Sequence, residues 1–251
     1  MKKKKYRIFY EKEIKRKQNI HLTNNNLHYF KNVLRVKINE KIEVFNNTNH
    51  VFLGKITLIK KNLIQILIEK KLKKNKESSL KIHFAPIMLN QKKMNFIIQK
   101  STELGVHSIT PLLQKNKFST EINSSSLLSQ YNRWKNIAIS ACQQCERNKI
   151  PIINYPEYMY SWCSKLPNNE LKIIFDPYTK KTINSLTPIQ KKINVIIGGE
   201  SGFSIMEINN FKKKYNFKNI SLGKRILRAE TSSIAAISIL LYKYGELDLT
   251  I

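Results

Sequence analysis

The sequence predicts an α/β protein in which a small β-barrel-like domain precedes a larger domain built on a parallel sheet. Short β-type runs dominate from Tyr6 to Glu69, and no proline occurs there. From Leu80 onward, apolar strand-like runs alternate with helical patterns. Four of the seven glycines cluster between Gly198 and Gly223, in loops that follow two of those runs. The predicted architecture is therefore a barrel followed by an α/β domain with two glycine loops.

The first predicted domain combines four strands with one helix. The strand-like runs are Tyr6–Tyr10, Ile42–Asn46, Val51–Ile59 and Leu63–Ile68. The residues from Asn25 to Val36 have a helical pattern. The polar, lysine-rich segment from Lys70 to Ser79 predicts a linker to the second domain.

The second predicted domain alternates buried strands with helices. The strand-like runs are Lys81–Met88, His107–Leu113, Leu171–Phe175, Asn194–Ile197 and Asn219–Leu222. The helical patterns are Gln91–Leu104, Leu127–Glu146, Ser204–Lys213 and Thr231–Tyr244. Ser204 and Thr231 are the predicted N-caps of the last two helices. This alternation predicts a parallel sheet, and parallel sheets bind ligands at the carboxyl ends of their strands.

The two glycine loops are candidate ligand-binding segments at those strand ends. Glycine adopts positive φ freely and lets a backbone approach a ligand closely. The Gly198 loop lacks the Lys-Ser/Thr ending of a phosphate-binding P-loop and the spacing of a dinucleotide fingerprint. Arg225 and Arg228 follow Gly223, where they predict contact with an anionic group.

The charge of the chain indicates a polyanionic partner. The formal net charge is +28, from 45 basic and 17 acidic residues. Nucleic acid is the first candidate for such a partner, and an anionic membrane surface is the second. Because Lys, Ile and Asn have A/T-rich codons, a biased genome also raises the lysine count without a functional patch. The charge alone therefore does not assign RNA or DNA binding.

The sequence predicts a soluble, cytoplasmic protein. No run reaches the roughly 18 to 20 apolar residues of a membrane-spanning helix. The charged segment from Tyr6 to Lys17 offers no apolar core for a secretory signal. Three cysteines without framework spacing favour a reducing compartment.

Neither the cysteines nor the histidines predict a metal centre. Cys142 and Cys145 have C-x-x-C spacing, but they lie within a predicted helix, and a second Cys/His pair is missing. Burial on a helix face is the favoured interpretation. The five histidines are scattered singly, and His83 and His107 are expected at the core or its rim. Gly202-Phe203-Ser204 does not supply the G-x-S-x-G elbow of a serine hydrolase.

Two motifs of the chain resemble signatures of the RsmE family of ribosomal RNA methyltransferases, which belong to the SPOUT superfamily. The family loop Gly-Pro-Glu-Gly-Gly is matched by the residues from Gly198 to Ser204, which read GGESGFS. The second signature is matched by LGKRILRAETS, from Leu222 to Ser232. Shorter matches are Lys93-Met94 with Gln99–Val106 and Ile109–Pro111, the segment Ala138–Asn148, and Arg7–Phe9 with His28 and Val33–Arg35. The resemblance thus covers nearly the whole chain.

The resemblance implies a PUA-like β-barrel over residues 1–73 and a SPOUT domain over residues 80–251. Members of that superfamily carry a deep trefoil knot, which no periodicity predicts, since knots are essentially absent from proteins. The resemblance also implies a homodimer with S-adenosylmethionine as methyl donor. The implied acceptor is N3 of one uridine of 16S ribosomal RNA, near the decoding site of the small subunit.

The resemblance further implies that the two glycine loops hold the methyl donor. The implied donor-binding residues are Ile197, Gly198, Gly199, Glu200, Gly202, Leu222, Gly223, Ile226, Leu227 and Arg228. Glu200 is a candidate to accept the N3 proton, and Arg7, Arg147 or Arg228 to stabilise negative charge on the uracil oxygens. A capping role for Glu200 at the following helix is the alternative.

Three substitutions within the motifs bear on donor binding. Gly199 and Lys224 stand where the family has prolines, so each loop loses a fixed φ. Ser201 replaces a glycine and is harmless only where positive φ is not needed. Two other functions stay open. The same donor loops would serve a SPOUT methyltransferase that acts on a ribose 2′-hydroxyl or on transfer RNA. If Gly199 and Ser201 mark an inactive donor site, the protein is a non-catalytic RNA-binding or assembly factor.

The last predicted helix indicates a partner surface. Ala235, Ala236, Ile237, Ile239 and Leu240 cover more of its circumference than one sheet would bury. We expect this helix and the helix from Leu127 to Glu146 near a homodimer interface.

Overall fold

The computed structural model describes residues 6–23, 27–114, 124–186 and 191–244, which form two large sheets. The chain divides into two compact units. The first unit comprises Met1–Glu77 and Cys142–Ile150, and the second comprises Ser78–Ala141 and Pro151–Ile251. Each sheet belongs to one unit, so the change of texture near Leu80 in the sequence corresponds to a change of sheet.

The first unit contains a five-stranded mixed sheet. Its strands are β1 (Tyr6–Phe9), β2 (Asn19–Leu22), β3 (Lys41–Phe45), β4 (His50–Lys60) and β5 (Leu63–Lys73). They lie in the order β1-β3-β4-β5-β2, with β1 parallel to β3 and the other neighbours antiparallel. Side chains alternate between buried and exposed along β4 and β5, so one face forms a core that includes Ile8, Phe30 and Ile66.

Three features of this unit differ from the sequence prediction. Residues 70–73 are strand rather than linker, because their backbone pairs with β4 while their side chains stay exposed. The short strand β2 was missed, although Ile20 and Leu22 alternate with exposed neighbours. In place of a regular α-helix, the chain forms a π-helical turn over Tyr29–Val33. Asn25 and Asn26, the start of that predicted helix, lie outside the described residues.

The strands of the second unit alternate with helices. The strands are β6 (Lys81–Pro86), β7 (Ser108–Ile109), β8 (Leu112–Leu113), β9 (Ile152–Ile153), β10 (Glu157–Tyr158), β11 (Leu171–Phe175), β12 (Lys192–Ile197) and β13 (Lys218–Ile220). The helices along the same stretch of chain are α1 (Gln91–Glu103), α2 (Ser124–Cys145), α3 (Met159–Lys165), α4 (Ile205–Tyr215) and α5 (Ala229–Lys243). Six strands form one parallel sheet in the order β13-β11-β12-β6-β7-β9, which confirms the predicted parallel architecture.

The two predicted helix caps have different outcomes. Ser204 is the N-cap of α4, where its hydroxyl accepts from the backbone N–H of Glu207 and the Glu207 carboxylate accepts from the Ser204 N–H. Thr231 is not a cap, because α5 already begins at Ala229 with Arg228 as its N-cap. The backbone of Arg228 is extended and its carbonyl accepts from the Ser232 N–H, which starts the helix earlier than predicted.

The cysteine and histidine side chains are part of the packing. Cys142 is fully buried, and its contact with Cys145 together with burial raises the pKa of its thiol. Burial lowers the pKa of His83 to about 4, and a ring nitrogen of this neutral side chain hydrogen-bonds the Thr110 hydroxyl at 2.7 Å. Among the described residues, no group of three or more His, Cys, Asp or Glu is arranged to hold a metal ion. Within those same stretches of chain, no helix is long and apolar enough to cross a membrane.

Candidate functional site

A cavity of about 520 Å³ lies at the carboxyl ends of three neighbouring parallel strands. β11 ends at Phe175, β12 at Ile197 and β13 at Ile220, and the loop after each strand contributes to the cavity wall. All ten residues predicted to bind the donor line it, namely Ile197, Gly198, Gly199, Glu200, Gly202, Leu222, Gly223, Ile226, Leu227 and Arg228. The structure therefore brings both sequence motifs together around one space.

The backbone of the two motif loops requires glycine at defined positions. Gly202 has φ of +64° and Gly223 has φ of +113°, a region that side-chain-bearing residues rarely adopt. Gly198 favours a close approach instead, since a Cβ there would lie 3.0 Å from the Phe203 ring, which would have to shift. The first loop is closed by the Gly202 N–H, which donates to the Gly199 carbonyl at 3.0 Å. These loops hold a tight shape while presenting backbone to the cavity.

Ser201 lies in the same loop without positive φ. The position where the resembled family has glycine thus accepts a side chain in this backbone without strain. On this criterion the substitution is harmless to the shape of the loop.

Glu200 extends from the first loop and pairs with a lysine of α1. Lys93 Nζ lies 2.6 Å from Glu200 Oε1, and the Glu200 side chain is 60% exposed. Both residues line the cavity. The helix-capping role considered for Glu200 is filled by Glu207, which forms the capping box with Ser204. The carboxylate of Glu200 is therefore positioned by Lys93 at the rim of the cavity.

The third wall of the cavity comes from the loop after β11, which the sequence analysis did not select. Asp176 accepts from the Tyr178 N–H at 3.0 Å and from Asn219 Nδ2 at 3.1 Å, so it ties this loop to β13. Tyr178 is 83% exposed beside the cavity. The signal was present in the sequence, since Asp176-Pro177 directly follows a buried strand that neighbours both glycine-loop strands.

The second motif loop places cationic and apolar side chains at the cavity. The Ser221 hydroxyl accepts from the Gly223 N–H at 3.1 Å and stabilises the turn. Beyond it, Arg225, Ile226 and Arg228 line the cavity and are exposed to solvent, Ile226 at 75%. This wall thus offers both guanidinium groups and an apolar surface to a ligand.

Arg7 and Arg147, the other predicted catalytic residues, are buried in the first unit. Arg7 pairs with Glu43 at 3.0 Å, donates to Asn148 Oδ1 at 2.6 Å and stacks over the Phe45 ring at 4.5 Å. Arg147 binds the carboxylate of Glu77 through Nε and Nη2. These contacts indicate a structural function for both guanidinium groups within the first unit.

Comparison with known proteins identifies two families along the chain. A family described as an RNA methyltransferase domain matches residues 76–241, and one described as an RNA methyltransferase PUA domain matches residues 22–69. Ribosomal RNA small subunit methyltransferase E of Buchnera aphidicola subsp. Schizaphis graminum is 45% identical over 99% of this chain and 100% of its own length. The enzyme of that name from Rickettsia conorii is 32% identical over 92% of this chain and 93% of its own length.

Two solved structures share the fold and contain S-adenosylmethionine. A proposed methyltransferase from Legionella pneumophila, solved with that cofactor, is 34% identical with a TM-score of 0.90, over 96% of this chain and 98% of its own. A ribosomal RNA small subunit methyltransferase E from Neisseria gonorrhoeae, bound to the same molecule, is 27% identical with a TM-score of 0.86, over 95% of this chain and 98% of its own. These matches confirm the predicted PUA-like and SPOUT domains, and the chain belongs to the RsmE family of ribosomal RNA small subunit methyltransferases.

Proposed function

We propose that this protein transfers a methyl group from S-adenosylmethionine to N3 of a uridine in the RNA of the small ribosomal subunit. The observation that supports this most is the single cavity formed by both glycine motifs at the carboxyl ends of β11, β12 and β13. The chain shares that fold with relatives solved with the cofactor. The N3 position is the more specific part of the proposal and rests on the resemblance to the RsmE family.

The chemical character of the cavity fits S-adenosylmethionine. Its volume of about 520 Å³ is typical of a small-molecule site. Ile226 and Leu227 offer apolar surface for a nucleoside, while the backbone of the Gly198–Gly202 loop offers N–H and C=O groups for polar parts. The bound donor supplies an electrophilic methyl group, so the residues of the chain need only bind it, orient it and align the acceptor.

Methylation at uridine N3 makes two demands on the chain. N3 lies on the Watson–Crick edge, so the base must be unpaired, and its proton must leave as the methyl group arrives. We assign the removal of this proton to Glu200, whose carboxylate lies at the cavity rim beside Lys93 and would accept it. We assign stabilisation of negative charge on the uracil oxygens to Arg228, whose exposed side chain lines the same cavity.

We further propose a division of labour between the two domains. Residues 1–73 bind RNA as the PUA-like domain, and residues 80–251 hold the donor and perform the transfer. The net charge of +28 supplies phosphate contacts, and each of these releases counterions on binding. Methylation of assembled small subunits should therefore weaken steeply with salt, and a short RNA hairpin should be a poor substrate.

Calorimetry of S-adenosylmethionine binding tests the donor site directly. Gly202→Val should abolish binding, because a β-branched residue is strained at φ of +64° and the loop must change shape. Ser201→Ala is the matched control and should bind like the parent, since Ser201 has no positive φ. Equal binding by the Gly202→Val variant would show that the loop has been assigned wrongly.

Product analysis tests the acceptor. Small subunits that lack the modification should gain one methyl group at uracil N3, as read by mass spectrometry of the nucleosides. A methyl group on a ribose hydroxyl, or on transfer RNA alone, would contradict the acceptor while keeping the donor site. Failure to bind S-adenosylmethionine at all would instead favour a non-catalytic RNA-binding factor.

We also propose that the protein is a homodimer that uses α5. Along this helix Ile234, Ala235 and Ile239 remain partly exposed, and Tyr242 is 72% exposed. Leu128 of α2 is 51% exposed as well. Such apolar surface is typical of a partner contact. A monomer in light scattering at micromolar concentration would contradict this proposal.

A further inference from the structure

A second cavity of the second unit lies directly beside the cavity of the two glycine motifs, which we call the donor cavity because we propose that it binds S-adenosylmethionine. Its volume is about 890 Å³, and Ser201, Gly202 and Phe203 line both spaces. The far side of this second cavity is formed by residues near the ends of β8 and β10 and by the first turns of α4. The two glycine motifs of the sequence do not include the residues of that far side. We call this second space the tyrosine groove.

The tyrosine groove offers flat aromatic surface and one charged side chain. Tyr158, Tyr160 and Phe203 line it, and Tyr158 is 50% exposed. The rings of Tyr160 and Phe203 are fixed against the core by contacts with Phe211. Among the described lining residues Glu207 is the only charged side chain. A phosphate group would find no cation here, whereas a neutral planar group would find stacking surface.

Gln114 adds a hydrogen-bond acceptor whose orientation is fixed. Its Nε2 donates to Glu207 Oε1 at 2.6 Å, and the other oxygen of Glu207 accepts from the Ser204 N–H at 2.8 Å. Because a carboxylate only accepts, the amide NH₂ of Gln114 must face Glu207. Oε1 of Gln114 is therefore turned away from Glu207, and it is buried without a hydrogen-bond partner among the described residues. Such an acceptor gains most from a ligand that donates an N–H or O–H.

We propose that the tyrosine groove binds one unpaired nucleotide of the RNA substrate, with its base stacked on Tyr158 and a donor group on Gln114. The inference rests on the proposed function, because it places RNA beside the methyl donor across the shared Ser201–Phe203 wall. Tyr158 is a stacking residue, and Gln114 is a specificity residue that favours a base with an N–H donor. Neither residue belongs to the two glycine motifs.

Photocrosslinking tests the placement without requiring methyl transfer. Small subunits carrying 4-thiouridine in their RNA are mixed with the full-length protein and irradiated with long-wavelength ultraviolet light. The crosslinked peptide is then sequenced by mass spectrometry. We expect crosslinks to the segment from Tyr158 to Ser161. Crosslinks confined to other parts of the chain would overturn the proposal, whatever the enzyme does.

Kinetics on assembled small subunits test the two side chains. Tyr158→Ala should raise KM for the subunit about tenfold, because stacking of one base contributes roughly 1–3 kcal/mol. Tyr158→Phe should restore the parental KM, since stacking needs the ring and not the hydroxyl. Gln114→Leu should raise KM roughly fivefold, the scale of one neutral hydrogen bond. The dissociation constant of S-adenosylmethionine should stay within about twofold in all three variants, because a stacking or acceptor role lies outside the donor cavity.

Two controls distinguish base stacking in the groove from a general surface effect and from a dimer contact. Tyr155→Ala removes a tyrosine that is 45% exposed and lines neither cavity, so its KM should equal that of the parent.

Light scattering of Tyr158→Ala tests whether a second copy of the chain fills the groove, since Ile205 and Met206 nearby are also exposed. Loss of the dimer in that variant, or an unchanged KM in both Tyr158→Ala and Gln114→Leu, would overturn the proposal. If the parent binds no donor and methylates no RNA, the proposed function fails, and the crosslinks still decide the groove.

Discussion

The arginines of the two units differ in what surrounds their guanidinium groups. In the first unit, Arg7 and Arg147 are buried and bind Glu43 and Glu77. In the second unit, Arg225 and Arg228 are exposed and line the cavity formed by the two glycine motifs. Arg7, Arg147 and Arg228 were all predicted from sequence as catalytic candidates. The comparison teaches that a buried guanidinium paired with a carboxylate stabilises the fold, whereas an exposed one beside a cavity remains available to a ligand.

Removal of a buried arginine should have the largest effect on stability. Arg147→Ala leaves the Glu77 carboxylate without its bidentate partner, so we expect the free energy of unfolding to fall by about 3–5 kcal/mol. Urea unfolding of the full chain measures this change. Arg225→Ala, which removes an exposed arginine, should change stability by less than about 0.5 kcal/mol. Similar losses in the two variants would show that burial of the guanidinium group does not determine its contribution to stability.

The converse experiment removes an arginine at the cavity. Arg228→Ala should lower kcat on small subunits on the order of 100-fold, the usual cost of losing one charge stabiliser, while stability stays near that of the parent. Arg228→Lys keeps the charge but loses the planar fork, so it should recover only part of the rate. If Arg228→Ala unfolds more easily but retains its kcat, then Arg228 stabilises the fold and does not stabilise charge during methyl transfer.

Sequence reasoning predicted the second unit more completely than the first. The parallel sheet and the Ser204 cap follow from local patterns, and the structure confirms them. Both glycine motifs lie at the carboxyl ends of strands, as the sequence predicts, and line one cavity. The burial of Arg7 and Arg147 was not predictable, because their carboxylate partners lie 36 and 70 residues away along the chain. The tyrosine groove was missed for the same reason, since Gln114 and Glu207 meet across 93 residues. Side-chain partnership across such separations leaves no periodic signal. The trefoil knot and the domain boundaries stay predictions.

His83, a half-buried titratable side chain of the second unit, differs from these arginines because it is neutral rather than ion-paired. Burial lowers the pKa of His83 to about 4, against 6.5 in the unfolded chain. As the pH falls, the unfolded state therefore binds the proton at a higher pH than the folded state does. The contribution of neutral His83 to stability is complete above pH 6.5 and is lost as the pH falls toward 4. Between pH 7 and pH 5 we expect a loss of about 2 kcal/mol in the free energy of unfolding. Urea unfolding of the parent and of His83→Gln at both pH values measures it, and an equally steep loss in the variant would exclude His83 as the cause.

The smallest expected effect concerns the polar cap of α4. Ser204→Ala removes the hydroxyl that accepts from the Glu207 N–H, so it should cost about 1 kcal/mol of stability. Thr231→Ala is the matched control, since Thr231 is exposed within the first turn of α5 and is not its N-cap. Thermal unfolding compares the two variants. Equal destabilisation would mean that Ser204 contributes no more than an ordinary surface hydroxyl.

The segment from Ser201 to Phe203 has a thermodynamic consequence, because it belongs to both cavities. A ligand that shifts the φ of Gly202 on one side changes the wall seen by a ligand on the other. Any coupling between the two spaces must be reciprocal, so the donor tightens RNA binding by the same factor by which RNA tightens donor binding. With three residues as the common boundary, the size of that coupling depends on how far the backbone of Gly202 can move.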